Sequence, residues 1–234
     1  MYDMKKKKNI LTLIPARSGS KGIKNKNIIK IKNKPLIYWT IQQAKLAKLK
    51  NIIVSTDSKK IASIVKKYGN YIKFLRPKKI SKDDTRMHEV IKHSLDFFKK
   101  KNINFDLVLL LQPTSPLRLA KDIKNSIKLL EKNKIADSVI SVVKLEDFHP
   151  ARMKIKKKQF LIDSSFSEKK EGMPRQKLAH YYLRNGAIYL FKVKSFYKTK
   201  TIKGIKSLLY EMPKSRSLNI DDAFDLKLVR LLKK

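Results

Sequence analysis

The stretch Ile10-Leu11-Thr12-Leu13-Ile14-Pro15-Ala16-Arg17-Ser18-Gly19-Ser20-Lys21-Gly22 decides how the rest of the chain is read. Its first five residues are a near-continuous apolar run of strand length, the pattern of a strand covered on both faces. The run gives way abruptly to a glycine-containing loop that carries Arg17 and Lys21, with Lys26-Asn27 following. Further apolar runs of the same kind lie at Ile52–Ser55, Leu107–Leu111 and Ser138–Val143. Between them apolar residues recur at helical spacing: Ile37, Ile41, Ala44 and Ala47; Ile61, Val65 and Tyr68; Val90, Ile91, Leu95 and Phe98; Ile123, Ile127 and Leu130. This alternation predicts an α/β fold, a Rossmann-like, mostly parallel twisted sheet with helices on both faces.

The rhythm breaks near Lys144. Residues 144–184 are polar, Lys-rich and punctuated by Pro150, Gly172 and Pro174, with little helical period. They read as an inserted β-ribbon or lobe within a single domain spanning 1–234, being too short and too polar to build a core of their own. Strand character returns at Ala187–Phe191 and Ser207–Glu211. A closing helix is expected after Asp221-Asp222, with Phe224, Leu228, Leu231 and Leu232 on one face and carboxylates at its start.

Composition narrows the function classes. A hydrophobic fraction of 42% is that of a folded chain, and the absence of cysteine removes disulfides, thiolate nucleophiles and Cys-based zinc sites together. The apolar run at Ile10–Ile14 is broken by Pro15, Ala16 and Arg17, too early for a signal peptide or a membrane span, so a cytoplasmic protein with no membrane partner is expected. The net charge of +38 invites a nucleic-acid partner. The lysines, however, are spread along the whole chain on the polar faces of amphipathic helices, and no basic stretch is interleaved with aromatics. No specific nucleic acid is expected.

Ligands of a doubly wound sheet bind beyond the carboxyl ends of its strands, so the informative loops follow the apolar runs. In the first loop, two glycines permit close backbone approach and Arg17, Lys21 and Lys26 bring fixed cations, which is what a triphosphate needs. The loop is neither Gly-x4-Gly-Lys-Ser/Thr nor Gly-x-Gly-x-x-Gly. After Leu107–Leu111 comes Gln112-Pro113-Thr114-Ser115-Pro116-Leu117-Arg118, where two prolines stiffen the turn. Gln112 there offers both a donor and acceptors to a polyhydroxylated ligand.

Together these segments resemble the two signatures of the acylneuraminate (CMP-N-acetylneuraminate, nonulosonate) cytidylyltransferase family. Val54-Ser55-Thr56-Asp57, Leu75-Arg76-Pro77, Arg175-Gln176, Asn185-Gly186-Ala187-Ile188-Tyr189 and Ile220-Asp221-Asp222 with Phe224-Asp225-Leu226 resemble the same family, in the same order, over about residues 10–232. The resemblance implies a nucleotide-diphospho-sugar transferase type of fold and an enzyme that transfers CMP from CTP to the anomeric hydroxyl of a nine-carbon 2-keto sugar acid, releasing pyrophosphate with Mg²⁺ (Mn²⁺ as a substitute). Carried over position by position, it implies that Arg17, Lys21 and Lys26 hold the CTP phosphates with Asn27 beside them, and that Arg76 lies at the nucleotide. Gln112, Arg175, Asn185 and Tyr189 would line the sugar pocket, with Arg175 the counter-ion of the carboxylate. Asp221 would hold the metal, with Asn219 as a weaker second ligand, and the catalytic set would be Arg17, Lys21 and Asp221. It also implies a homodimer in which the 144–184 lobe crosses to the partner.

The chain departs from the family pattern at Asn219, where an aspartate is common, at His88, where a small residue is common, and at Lys24, where a proline is frequent. His88-Glu89-Val90-Ile91-Lys92-His93 is one residue too long for a zinc-protease helix, since positions five apart lie about 140° apart around a helix. His149 and His180 read as local contacts rather than general bases, and Trp39, Phe97 and Phe98 as packing residues. The rival substrate is the eight-carbon acid 3-deoxy-manno-octulosonate, against which Gln-Pro-Thr-Ser-Pro-Leu-Arg speaks. The rivals from other classes are a basic nucleic-acid-binding module and, because of Asn219, a catalytically weakened nucleotide-sugar binder.

Overall fold

Leu11 and Leu13 are buried in one apolar cluster together with Val108 and Leu110, while Ile14, Leu107, Leu109 and Leu111 are buried in another. Successive residues of a strand point to opposite faces of its sheet, so strands with an apolar layer on each side must be apolar throughout. That is why the runs identified above are continuous. The computed structural model describes residues 8–20, 22–168 and 172–233.

The strands are β1 (Ile10–Pro15), β2 (Lys30–Ile31), β3 (Lys34–Pro35), β4 (Asn51–Ser55), β5 (Leu107–Leu110), β6 (Ser138–Lys144), β7 (Lys154–Lys157), β8 (Phe160–Asp163), β9 (Tyr182–Lys192) and β10 (Ser207–Glu211). The helices are α1 (Leu36–Leu46), α2 (Lys59–Lys66), α3 (Met87–Lys99), α4 (Ala120–Lys132), α5 (Val193–Thr199) and α6 (Ala223–Leu232). Six strands form the central sheet in the order β10-β6-β9-β5-β1-β4, with β2–β3 and β7–β8 as separate two-stranded pairs. β9 runs antiparallel to both of its neighbours, and the other pairings in the sheet are parallel. Helices α1, α2 and α4 supply Ile37, Ile41, Val65 and Ile123 to the core on one face. Helices α3 and α5 supply Ile91, Leu95, Phe98 and Phe196 to the other. A third cluster joins α1 and α6 through Leu36, Leu226 and Val229. No helix among the described residues is long and apolar enough to cross a membrane.

Two expectations are corrected here. The strand read from Ala187 begins at Tyr182, because Arg184, Leu183 and Tyr182 pair with Val142, Val143 and Lys144 as an antiparallel arm reaching out from the sheet. The polar composition of that arm hid it. The buried face of α6 is Leu226 and Val229, while Phe224, Leu231 and Leu232 are exposed. The four apolar residues chosen from sequence are a minor stripe, and the third cluster selects the face next to it.

Beyond the arm the insertion is small. β7 and β8 form an antiparallel hairpin joined by the Lys154–Asp163 ion pair, and every residue of both strands is exposed. Phe148, Phe160, Leu161, Phe166 and Leu183 are large apolar side chains left open to solvent in this region.

Candidate active site

The carboxyl ends of β1 and β5 open into a cleft of about 570 Å³. Its walls come from the loop after β1 (Pro15, Arg17, Ser20, Gly22, Lys26 and Asn27), from Arg76 and Met87, from Gln112, Pro113 and Thr114 after β5, and from Asn219 and Asp221 ahead of α6. The two segments read as ligand loops thus share one cavity, although 84 residues lie between Asn27 and Gln112 in sequence. Lys21, expected among the phosphate-binding and catalytic residues, lies outside the described residues.

The loop after β1 is held at several points. Asn27 is buried and donates its amide to the Arg17 carbonyl at 3.0 Å, so it shapes the loop from behind. Lys26 donates its ammonium to the carbonyls of Ile220 at 2.8 Å and Asp221 at 3.2 Å, with the Asp221 carboxylate at 3.6 Å. Gly22 rests against the Asp221 carbonyl so closely that a Cβ there would collide with backbone. The loop after β1 and the Asp221 segment are therefore one mechanical unit. Arg17 donates to the Gly19 carbonyl at 2.9 Å and pairs with Asp83 at 2.5 Å. The Asp83 carboxylate thus occupies one nitrogen of a guanidinium that lines the cleft.

Arg76 is 5% exposed, lines the cleft, and has its Nε and Nη2 buried without a hydrogen-bond partner. Burial pulls its pKa below the usual value, with nearby Asp57 opposing that pull and Arg17 adding to it. A buried guanidinium with unmet donors is an expensive arrangement that an anionic or carbonyl-bearing ligand would relieve.

On the opposite wall, Gly186 adopts φ +72°, and a Cβ at this position would stand 2.7 Å from Gln112 Oε1. Glycine here gives the Gln112 side chain its room. Gly186 sits where the β6–β9 register shifts, a bulge filled by Ser141, which donates to Asn185 Oδ1 at 2.6 Å and accepts from the Ile188 amide at 2.7 Å. Ser115 donates to the Asn185 carbonyl and to Asn219 Oδ1, both at 3.3 Å, and the Asn219 amide donates to Asp221 Oδ2 at 2.8 Å.

Several expected roles change in this setting. Asn185 is 4% exposed and its amide is taken up by Ser141, Ser217 and the Ala187 N–H, so it builds the bulge and does not line the cleft. Tyr189 is buried in the core cluster to which α3 contributes, where burial raises its pKa, and is not among the residues that line the cleft. Arg175 lies in the inserted region, 3.9 Å from Asp147, along cavities lined by His149, Leu178 and other residues of that region. His149 bonds the Ala179 carbonyl and the Ala151 amide, and packs edge-on against Tyr181, the local role expected of it.

Asn219 presents its N–H₂ to Asp221 and its oxygen to Ser115. The reverse orientation would set an amide oxygen against a carboxylate, so the hydrogen bonds define which end is which. As a metal ligand Asn219 does not fit, because the atom facing the cleft carboxylate is a nitrogen; it orients Asp221 instead. Asp221 does fit as a single oxygen ligand, with a carboxylate side chain 74% exposed at the cleft edge. Asp222 and Asp225 are spent elsewhere: Asp222 accepts from the Asp225 amide at 2.9 Å, and Asp225 accepts from Asp222 and Asp221, a reciprocal cap on α6. Among the described residues, no group of three or more His, Asp or Glu side chains stands together in a way that could hold a metal ion.

Residues the sequence reading passed over also shape the site. Ser115, Ser18 and Asp57 make its internal bonds; all three stand in the family-like segments, but the sequence alone assigned them no role.

Residues 11–232 match the family model described as cytidylyltransferase. The chain belongs to the cytidylyltransferase family. It is 34% identical over 220 residues to an N-acylneuraminate cytidylyltransferase of Escherichia coli O18:K1:H7, an alignment covering 94% of this chain and 51% of that protein. This cytidylyltransferase chain therefore spans about half the length of that relative. It is 32% identical to the CMP-N,N'-diacetyllegionaminic acid synthase of Legionella pneumophila, over 95% of both chains. Among solved structures it superimposes on CMP:2-keto-3-deoxy-manno-octonic acid synthetase complexed with CTP, with a TM-score of 0.71, 18% identity and coverage of 96% and 98%. At that identity the likeness speaks to the fold of this cytidylyltransferase alone.

Proposed function

We propose that the cleft binds CTP and transfers its CMP moiety to the anomeric hydroxyl of a nine-carbon 2-keto sugar acid. The carrying observation is that the cationic loop after β1, Gln112 after β5 and the Asp221 carboxylate wall a single cavity at the carboxyl ends of parallel strands. The names of two relatives, an N-acylneuraminate cytidylyltransferase and a CMP-legionaminic acid synthase, support a nonulosonate over an octulosonate.

The chain's own groups act by position and charge. The sugar oxygen forms a bond to the α-phosphorus, the bond to the pyrophosphate oxygen breaks, and the hydroxyl proton leaves to solvent. Arg17, Lys26 and Arg76, with Lys21 expected beside them, neutralise the triphosphate and hold it in line. Gln112, kept in place by the space at Gly186, faces the sugar. Asp221 would hold Mg²⁺, or Mn²⁺ in its stead, with Asn219 fixing the carboxylate's direction. When bound, the ion adds positive charge as pyrophosphate departs.

The exposed apolar side chains of the β7–β8 region favour a homodimer in which this lobe packs on a partner, and Arg175, which does not line the cleft of its own chain, would reach the partner's sugar. A cytoplasmic setting suits an enzyme that uses CTP. Incubation with CTP, Mg²⁺ and a panel of neuraminate, legionaminate, pseudaminate and octulosonate, following pyrophosphate release, tests the reading. Release with at least one nonulosonate is expected; release only with octulosonate, or with none of the acids, overturns it. Light scattering should give twice the chain mass, and a monomer mass independent of concentration would remove the dimer.

A further inference from the structure

Asp57 stands between two elements of the cleft that its sequence position does not connect. It lies two residues beyond the end of β4 and precedes Ser58, whose side chain caps α2 by accepting from the Ile61 amide. On one side it accepts two hydrogen bonds from Ser18 of the phosphate loop, one from the backbone N–H at 2.8 Å and one from the hydroxyl. On the other side, its Oδ1 lies 4.0 Å from Nη2 of Arg76, with side-chain exposures of 11% and 3% for Asp57 and Arg76. The backbone holds the same geometry. Ala16 N–H donates to the Ser55 carbonyl at 2.9 Å, and Arg76 N–H donates to the Thr56 carbonyl at 2.8 Å, bringing both partners to the end of β4.

From this arrangement we infer that Asp57 is a positioning residue for nucleotide binding, locking the phosphate loop through Ser18 while aiming the buried Arg76 into the cleft. Three features carry the inference. Arg76 lines the cavity and keeps two buried nitrogens without hydrogen-bond partners, so Asp57 does not consume its donors. Arg17 and Arg76 are close enough to repel, and Asp57 is the carboxylate beside Arg76 that offsets this. Burial works against the charge of Asp57, but the Ser18 bonds and Arg76 outweigh it and keep its carboxyl below the usual carboxylate range. The carboxylate therefore stays ionised throughout the neutral range, where the loop must be set. At 4.0 Å the Arg76 contact is a charge contact, too long to take up a donor as a hydrogen bond.

The inference rests on the reading of the cleft as a CTP site, and the test separates the two. CTP affinity is measured by calorimetry and Michaelis constants by pyrophosphate release, for the unaltered protein and for Asp57→Asn, Ser18→Ala and the double variant. CTP binding by the unaltered protein establishes the site. Given that binding, Asp57→Asn should weaken CTP about tenfold or more, the effect of losing a charged hydrogen-bond partner. Its KM for the sugar acid should stay within about twofold, because Gln112 and the bulge lie on the other wall. Ser18→Ala should weaken CTP by a smaller factor, and adding it to Asp57→Asn should cost less than it does alone, since one clamp has already been released. A role confined to the fold would lower the melting temperature and raise both Michaelis constants together. Unchanged CTP affinity in a folded Asp57→Asn protein, or fully additive effects of the two substitutions, overturns the inference. Should Asp57→Asn fail to fold, an unchanged CTP affinity in Ser18→Ala overturns it alone.

Discussion

Asp221 and Asp83 are carboxylates of opposite consequence for the same ligand. Asp221 does not cap α6, because Asp222 and Asp225 cap it reciprocally. Asp221→Asn should therefore leave the melting temperature unchanged while turnover falls by about a hundredfold, partly restored by raised Mg²⁺ or Mn²⁺. Normal turnover in that variant would take the metal away from Asp221. Asp83 instead pairs with Arg17 at 2.5 Å, with side chains 31% and 40% exposed. Exposed pairs are worth about 0–1 kcal/mol, so Asp83→Asn should tighten CTP by at most about fivefold. Calorimetry showing weaker binding would mean that Asp83 aims Arg17 for the phosphates and does not compete with them.

At the level of elements, two buried or half-buried charges fasten the sheet to its connections. Arg118 is 1% exposed and donates to the Ala187 carbonyl at 2.6 Å, the Thr40 hydroxyl at 2.9 Å and the Gln112 carbonyl at 3.4 Å. Burial lowers its pKa to about 9 against the pull of Asp122, and at neutral pH it stays charged. The sequence marked Arg118 as rigidly held, and the structure shows it tying the Gln112 loop to β9 from below. Asp137 anchors the start of β10: it accepts from the amides of Ile205 at 2.9 Å and Lys206 at 3.1 Å, and from Ser195 at 3.0 Å. Burial opposes its charge, yet these bonds hold the carboxyl below its ordinary value of 3.8. A carboxylate depressed in the folded state stabilises the fold above its unfolded pKa, and that stability is lost as pH falls through the folded pKa. Asp137→Asn should therefore lower the melting temperature at pH 7 and flatten its decline below about pH 4. Parallel acid curves for the two proteins would show that Asp137 is not among the titrating groups that matter.

For the whole molecule the governing quantity is a net charge of +38 on 234 residues. Charge so far from zero keeps a chain soluble but opposes compactness through self-repulsion. The Debye length shrinks from about 10 Å at 0.1 M salt to about 3 Å at 1 M, so added NaCl should raise the melting temperature. CTP affinity should fall over the same range as its phosphate contacts are screened. A melting temperature that drops with salt would mean that specific ion pairs, such as Arg216 with the buried Asp122 at 2.8 Å, outweigh the repulsion.

By itself the sequence determined the α/β class, the parallel core and the two loops at its carboxyl edge. Strands apolar on every residue require cover on both faces, and that requirement can be read locally. The cationic loop with its glycines and the stiffened Gln112 turn were equally legible, since their chemistry lies in consecutive residues. Tertiary structure alone decided which neighbours share a space. Asn185 and Tyr189 were expected in the sugar pocket, but the bulge at Gly186 turns one into a network of its own and the core takes the other. The face of α6 was settled by Ile31, Leu36 and Leu117, distant in sequence. Ser18 and Asp57 are 39 residues apart, and nothing in either segment declares the bond between them. Pairings of that kind depend on where the folded chain brings strand ends together, which no local pattern encodes.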